Sequence, residues 1–587
     1  MKRVLPLLLL SPALAHAATW TVTSTGDDAS DPATLRGAIA AAAAGDTIEF
    51  DASLAGGTIA LATASGAIEI DKSLSIVGPE EGPVTLDGLG GAGGARAYSG
   101  GSRTIGLLHA SDPDATLTLK NLVFTGAKAA YNASAPDVGP AVSVVGSAVI
   151  DNCFWTNNAV AMSGAFNETT ADGGGCLRVA GNLSLANSRF IDNGASGCNY
   201  SIGGLVCVRS GAVGITNCVF SGSYGWDGST TGGNVRGGGA IGIGTDVKDF
   251  SMTGCLVEKC VGGAATGGVM INRSCAHITC RFTNCAFRDI WGVNSNWRHG
   301  GAVVYDGGNV VTLLFENVEF SRVHYAGWGG VVRVTGGNSR VVFANCTFAG
   351  CYGNEWGSCT DTRCLTSYVN CTAVGNVNGS SQDNGGTFFC IDRAHHLLNT
   401  ACVWNYDKKG ERLHDTSRYS STLGVYNSYN HAVGNGANAT DNAMDYDADT
   451  AFFAEPFATI SALPAWTGSE TLSAAITAPV LSVDAKGEKK DPALRRVVEI
   501  VPKTAGGVLD QAGWPVKHSA DWSSIAYTKD GGATWTALVG NVADATILVT
   551  ADSRGVAYPM SSSTGLPKCP IGSAAVLADS PTMVLVF

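Results

Sequence analysis

Charge is scarce in this chain: Asp, Glu, Lys and Arg together make up 15% of its 587 residues. That is too little to coat a set of surface helices, and no segment between the recurring asparagines described below carries the i, i+3, i+4 apolar pattern that a helical solenoid needs. Lysine is missing altogether between Arg273 and Arg340. No apolar stretch after the first seventeen residues is long enough to cross a bilayer as a helix. Cysteine is plentiful, at 18, yet no two stand as C-x-x-C, which removes the usual zinc pairing, and no metal or cofactor is expected. Basic residues are outnumbered, 37 against 49 acidic, for a net charge of −12. Without Lys2 and Arg3 it falls to −14, a poor balance for a nucleic-acid partner.

Glycine is abundant instead (77), and it recurs in a pattern. Gly300-Gly301-Ala302-Val303 is followed by Leu313-x-Phe315-x-Asn317-Val318-x-Phe320, and Gly329-Gly330-Val331-Val332 by Val341-x-Phe343-x-Asn345-Cys346-x-Phe348. The asparagine returns at 121, 152, 187, 217, 284, 317, 345, 370 and 399, with Gly254 in the one missing place, in steps of 25 to 37 residues. Glycine pairs keep the same beat. Apolar residues at −4, −2, +1 and +3 from each asparagine alternate as a strand with one buried face, and the parity changes at the asparagine. Asparagine tolerates the left-handed backbone of a sharp bend, and glycine fits where a Cβ would not. Short strands and bends stacked at this period predict an all-β parallel β-helix solenoid.

Met1-Lys2-Arg3, the apolar stretch Val4 to Leu14 and Ala15-His16-Ala17 predict a secretory signal over 1–17; a lone apolar helix is the competing reading. Residues 18–116 should hold an N-terminal cap and the first coils. A helix from Ala33 to Ala44, with Asp31 as N-cap and Pro32 in its first turn, would close the solenoid end. The repeats occupy 117–440, and 441–587 forms a linker and a small β-rich C-terminal module. There Thr528-x-Asp530-x-Gly532-x-Thr534-Trp535 matches an Asp-box, read as one hairpin because a propeller would carry several copies. Cys153, Cys218, Cys255, Cys285, Cys346 and Cys371 share the inward position after the asparagine or its substitute and should stack as free thiols; Cys359 with Cys364 is the better candidate for a bridge. The acidic patch Asp441, Asp445, Asp447, Asp449 lacks the glycine and glutamate of a calcium loop and reads as a solvated turn.

Ala33-Thr-Leu-Arg-Gly-Ala-Ile39, Gly45-Asp-Thr-Ile-Glu-Phe50, Leu74-Ser-Ile-Val-Gly78 and Thr85-Leu-Asp-Gly88 resemble the opening of bacterial secreted right-handed parallel β-helix proteins. Gly300-Gly-Ala302 and Phe190-x-x-Asn193 are similar to elements of the passenger region of chlamydial polymorphic outer-membrane proteins. The resemblance covers residues 19 to about 430. It implies a right-handed, pectin-lyase-like fold displayed outside the cell, secreted or on the bacterial surface or outer membrane. The chain departs from that pattern after Thr440, where 147 residues are too few for the large barrel such proteins end in. The stretch Gly507 to Pro515 resembles C-terminal modules of other secreted β-helix proteins, which implies a cap or a sorting tail. The paired-aspartate and Arg-x-Lys signatures of polygalacturonases and the arginine motifs of pectate lyases are missing.

Candidate binding residues follow from the repeat. Between the phenylalanine of one coil and the glycine pair of the next lies a variable segment that collects Tyr200, Trp226, Trp291, Trp297, Tyr325, Trp328, Tyr352 and Trp356. A shared register would bring Trp226, Trp291, Trp297, Tyr325, Trp328 and Trp356 out along one edge, where indole faces stack on sugar rings. The same residues would serve equally to pack on one another and roof the core. Trp297-Arg298-His299 with Asp289 is the sharpest polar cluster, in a stretch rich in arginine that would suit a carboxylated sugar. Arg298, His299 and Asp289 are the catalytic candidates, Arg298 or His299 abstracting a proton beside a uronate carboxylate; solvated coil edges and local ion pairs are the bland alternative. The leading reading is an exported β-helix acting as an adhesin or glycan-binding scaffold, its partner a polysaccharide or a host or cell-surface glycan. The rival is a polysaccharide lyase or glycoside hydrolase acting on an anionic polysaccharide, and a purely structural surface role is the third.

Overall fold

A computed structural model describes residues 17–434 outside the segments 62–65, 90–105, 132–140, 163–174, 197–204, 226–238, 263–265, 293–300 and 326–328 and further short breaks beyond 344, together with four strands between 525 and 560. The signal segment and the Asp441–Asp449 patch lie outside the described residues.

Strand pairing throughout the repeats is parallel, and each coil hydrogen-bonds to the next in register. One coil runs through the strands Val303–Tyr305, Val311–Glu316, Glu319–Ser321 and His324–Tyr325. The next repeats them as Val332–Val334, Arg340–Ala344, Thr347–Ala349 and Tyr352–Gly353. Val303 pairs with Val332, Phe315 with Phe343, Phe320 with Phe348 and His324 with Tyr352. These four strand columns, first to fourth in chain order, make a parallel β-solenoid of about nine turns. The first two columns share one sheet; the third and fourth form 12- and 10-stranded sheets among the described residues. Along each strand inward residues alternate with outward ones, and the inward set is a continuous apolar core from Val22 to Phe388.

The asparagines are the bends. Asn121, Asn152, Asn187, Asn217, Asn284 and Asn317 have φ between 48° and 54°, and Gly254, the substitute, has φ 64°. Their side chains also bond from coil to coil: Asn317 Nδ2 donates to Asn284 Oδ1 at 2.7 Å and Asn152 Nδ2 to Asn121 Oδ1 at 2.9 Å. A second left-handed position follows five residues later, at Gly126, Asn157, Asp192, Gly222, Lys259, Asp289, Arg322 and Gly350. Its mixed chemistry hides it from a search by residue type. Bends at both ends of a three-residue strand explain how parity changes without the chain leaving the core. At the glycine pair the constraint is space: a Cβ on Gly301 would meet Val323 Cγ1 at 2.4 Å.

Stacked register gives stacked rings. Phe124, Trp155, Phe190 and Phe220 form one column with centroids 4.9, 4.4 and 5.0 Å apart. Phe282, Phe315, Phe343 and Tyr368 form another, at 4.8, 4.8 and 5.1 Å. Beside the first column stand two buried asparagines. Asn158 Nδ2 donates to Phe124 O at 2.9 Å and Asn193 Oδ1 at 3.0 Å, while Asn193 Nδ2 donates to Trp155 O at 2.9 Å. An interior amide is tolerated because its polar atoms meet backbone groups or the next amide.

At the N-terminal end the helix is shorter than expected, Leu35–Ala41. Thr34, not Asp31, is the N-cap, its Oγ1 accepting from Gly37 N at 3.1 Å. Asp31 instead accepts from Ala33 N at 2.9 Å in the turn before it, so Pro32 lies ahead of the helix. Leu35, Ala38 and Ile39 are buried. The four strands near the C-terminus, Ile525–Thr528, Thr536–Ala537, Ala545–Thr550 and Gly555–Met560, form an antiparallel sheet. The first two pair antiparallel; of the Asp-box, Thr528 ends the first strand and residues 529–535 lie outside the described residues.

Cys218, Cys255 and Cys285 stack as expected, Cys218 N donating to Cys255 Sγ at 3.4 Å. The expected Cys359–Cys364 bridge is not formed. Neither is in a disulfide and both are buried; Cys359 belongs to the strand Gly357–Thr362 and Cys364 to the corner before Leu365–Val369. Fourteen cysteines are free and buried, and burial pushes the Cys153, Cys260, Cys275 and Cys364 thiols up to about 12. Ellman's reagent is therefore expected to react rapidly with at most Cys198, Cys390, Cys402 and Cys569 in the native protein, and with the other fourteen only in denaturant. Rapid native modification of more than four would overturn the buried thiol columns.

Candidate functional site

The outward residues of the first strand column make one row. Each is the middle residue of a three-residue segment whose neighbours point inward, as in Leu108-His109-Ala110 and Val142-Ser143-Val144. Pairing places Glu69 beside His109, His109 beside Ser143, Ser143 beside Arg178 and Arg178 beside Cys207. The row continues through Gly242, Met270 and Val304 to Arg333 and Asp361. Successive members are about 4.8 Å apart. Although they point away from the core, Ser143, Arg178, Arg333 and Asp361 are 0–1% exposed. The row is polar at both ends and small or apolar between.

At the C-terminal end the charges interlock. Arg333 Nη1 donates to Asp361 Oδ2, and its Nη2 to Asp306 Oδ1 at 3.4 Å. Arg363 Nε stands 4.0 Å from the other Asp361 oxygen, and its Cζ lies 5.5 Å above the Trp356 ring. Burial pushes the Asp361 carboxyl up from its ordinary value, against the pull of Arg333 and Arg363. This lattice anchors a guanidinium over a partly exposed indole, an arrangement suited to a sugar ring with a carboxylate.

At the N-terminal end His109 Nδ1 lies 2.8 Å from Glu69 Oε2. His109 Nε2 and Ser143 Oγ are buried, and neither has a hydrogen-bond partner among the described residues.

The fourth column supplies aromatics. Trp291 pairs with His324 and His324 with Tyr352. The rings of His324 and Tyr352 stack 4.8 Å apart at 10°. His324 is 2% exposed, and burial lowers its pKa to about 3.

Of the residues expected from sequence, Trp226, Trp297, Arg298, His299 and Trp328 lie outside the described residues. Trp291 takes its place in the fourth column, and Trp356 is partly exposed beside Arg363. Tyr325 is a correction: it is 0% exposed. It follows inward Val323 and outward His324, so alternation turns it inward, and its ring lies against Gly292, where a Cβ would meet Cδ2 at 2.4 Å. Asp289 occupies the second left-handed bend and accepts from Arg322 Nε at 2.6 Å and Nη2 at 3.0 Å, which ties its carboxylate to the neighbouring coil.

Sequence reasoning followed the asparagine and the aromatic segments and missed the first-column row. Its signal was present in five coils as a polar residue flanked by apolar ones: Ile68-Glu-Ile70, Leu108-His-Ala110, Val142-Ser-Val144, Leu177-Arg-Val179 and Val332-Arg-Val334.

The chain matches no protein family, and no curated protein matches it. Among solved structures it is similar to the pectate lyase Pel9A, with 13% identity, a TM-score of 0.28 and coverage of 81% of this chain and 95% of that one. It is also similar to tailspike protein 3 of bacteriophage CBA120, with 13% identity, a TM-score of 0.28 and coverage of 71% and 62%. Likeness at this level bears on neither ligand nor reaction.

Buried charge sets two expectations for stability. Arg333→Met should cost about 3–5 kcal/mol by leaving Asp361 buried beside fewer cations, whereas Arg333→Met with Asp361→Leu should recover most of that loss; urea midpoints of the three proteins test it, and equal losses would contradict the coupling. His324 stays neutral when folded, while the unfolded chain binds its proton near the ordinary value of 6.5. Stability should therefore fall as pH drops from 6.5 toward 3, by up to about 1.4 kcal/mol per unit. Urea midpoints at pH 7 and pH 5 should differ less for His324→Phe than for the parent; an unchanged difference would show that the imidazole titrates freely in the fold.

Proposed function

We propose that this is an exported β-helix protein, secreted or held at the cell surface, that binds an anionic glycan along the outward side of the first strand column. The observation that carries the reading is the Arg363 guanidinium lying over the partly exposed Trp356 ring, braced by Asp361, Arg333 and Asp306. Indole offers a flat apolar face to a sugar ring, and arginine a planar fork to a carboxylate. Tyr352, partly exposed and stacked on His324, extends the aromatic surface by a coil, and Trp291 shares its column. A rod with in-register side chains repeats its contacts along its length, as a polymeric ligand does. Export is supported by the basic start, apolar stretch and small-residue end of residues 1–17. An adhesin role toward a host glycan belongs to the same reading.

Affinity electrophoresis in gels containing polygalacturonate, alginate or a neutral glucan tests it. The protein should be retarded by a uronate polymer more than by the neutral one, and Trp356→Ala should weaken that binding about 10-fold, equivalent to about 1.4 kcal/mol. No retardation by either uronate polymer, or retardation unchanged in Trp356→Ala, would overturn the proposal.

A further inference from the structure

We propose that Ser143, His109 and Glu69 form a nucleophilic triad that hydrolyses acyl esters, with Arg178 stabilising the charge that develops. The three side chains come from three successive coils and sit side by side because parallel pairing sets Glu69 against His109 and His109 against Ser143. Each has the environment its role needs. Glu69 holds His109 through Nδ1 at 2.8 Å, which leaves Nε2 for a second partner. Ser143 Oγ comes next along it, 1% exposed at the residue level. No hydrogen bond joins Nε2 to Oγ in this structure; the buried hydroxyl and the buried imidazole nitrogen, on neighbouring coils, both lack a partner among the described residues, which is unusual because buried polar atoms are ordinarily satisfied. Two such atoms in the order carboxylate, imidazole, hydroxyl match the relation of orienting acid, general base and nucleophile. Arg178 stands one coil further on, in register with Ser143. Glu69, 61% exposed at its side chain, opens the row to solvent at its N-terminal end.

The reaction balances with water as the only co-reactant. Ser143 Oγ attacks the ester carbonyl carbon and its proton passes to His109 Nε2. The carbonyl π pair moves onto oxygen, where the Arg178 guanidinium faces the negative charge. Collapse breaks the bond to the alcohol oxygen, which takes the proton from Nε2 and leaves an acyl group on Ser143. Water attacks that acyl group, gives a proton to Nε2, and the second collapse returns this proton to Ser143 Oγ and releases a carboxylic acid. The substrate class is an acyl ester of an alcohol, and O-acyl groups on a polysaccharide fit the glycan reading without depending on it.

The test uses the full chain. A fluorophosphonate probe should label the protein on the peptide containing Ser143, and p-nitrophenyl acetate and O-acetylated polyuronate should release acetate. Ser143→Ala should abolish labelling, His109→Gln should slow labelling and hydrolysis at least about 100-fold, and Glu69→Gln should slow both at least about 10-fold. Ser184→Ala, at an exposed position of the second column, should behave like the parent. Native thiol protection and the β-sheet circular dichroism signal identify any variant that fails to fold, and a folded Ser143→Thr protein, with its hindered hydroxyl, should then show the slowed reaction. Absence of labelling and of acetate release in the folded parent, or labelling that persists in Ser143→Ala, would overturn the triad. Glycan retardation is measured on the same parent protein, so a protein that binds but does not react sinks this proposal alone, and one that reacts but does not bind sinks only the binding reading.

Discussion

In-register hydrogen bonding between successive coils is the constraint from which the rest of this molecule follows. Each strand is bonded to the strand one coil before and one coil after, and a slip of one residue would exchange every inward side chain for an outward one. Two left-handed bends per coil, five residues apart, hold that register, the first built on asparagine or glycine and the second on whatever residue tolerates it. Lys259 and Arg322 occupy the second bend against the intrinsic preference of L-residues, at an expected cost of about 1–2 kcal/mol each. The carboxylate of Asp289, bonded to Arg322 from the preceding coil, offsets part of that cost. Aromatic centroids 4.4–5.1 Å apart lie close to the coil rise, so flat rings stack from coil to coil in the interior.

How much of this was legible depended on whether the signal was local and repeated. The asparagine bends, the alternation around them and the inward phenylalanines were readable because one residue type recurred at one place in every coil. The cap helix was readable in kind but not in its bounds, since Asp31 and Pro32 suit a first helical turn as well as the turn that precedes one, and the choice of Thr34 rests on its bond to Gly37 N. Tyr325 was misplaced because a loop register was carried one residue too far: counting alternation from Val323 turns it inward. The Cys359–Cys364 pairing failed for the opposite reason. Short sequence separation suggested a loop, whereas the chain there runs through a strand and around a corner.

The candidate site was the least legible part, and the reason is physical. A solenoid brings together residues that are one coil apart in sequence, so a polar cluster is assembled from members separated by some thirty residues, each of which looks isolated. Arg333, Asp361 and Asp306 belong to three coils and form one buried lattice. Glu69, His109 and Ser143, again from three coils, stand side by side at the other end. Runs such as Trp297-Arg298-His299 catch the eye because they are contiguous, but adjacency in sequence says nothing of which residues share a register across coils. Chemistry on such a fold is read across coils, at constant register.

The two polar ends of the first-column row are six coils apart, from Ser143 to Arg333, or roughly 29 Å at the spacing of stacked strands. Between them Gly242, Met270 and Val304 offer no charge to compete for a ligand. A short molecule held over Trp356 and Arg363 would never reach Ser143. Only a ligand as long as that gap could engage both proposed sites, which belong to one strand column. The separation therefore ties the two proposals to a polymeric ligand if both are to act on the same molecule. A rigid rod keeps the two proposed sites at a fixed distance, because backbone hydrogen bonds between successive coils set it.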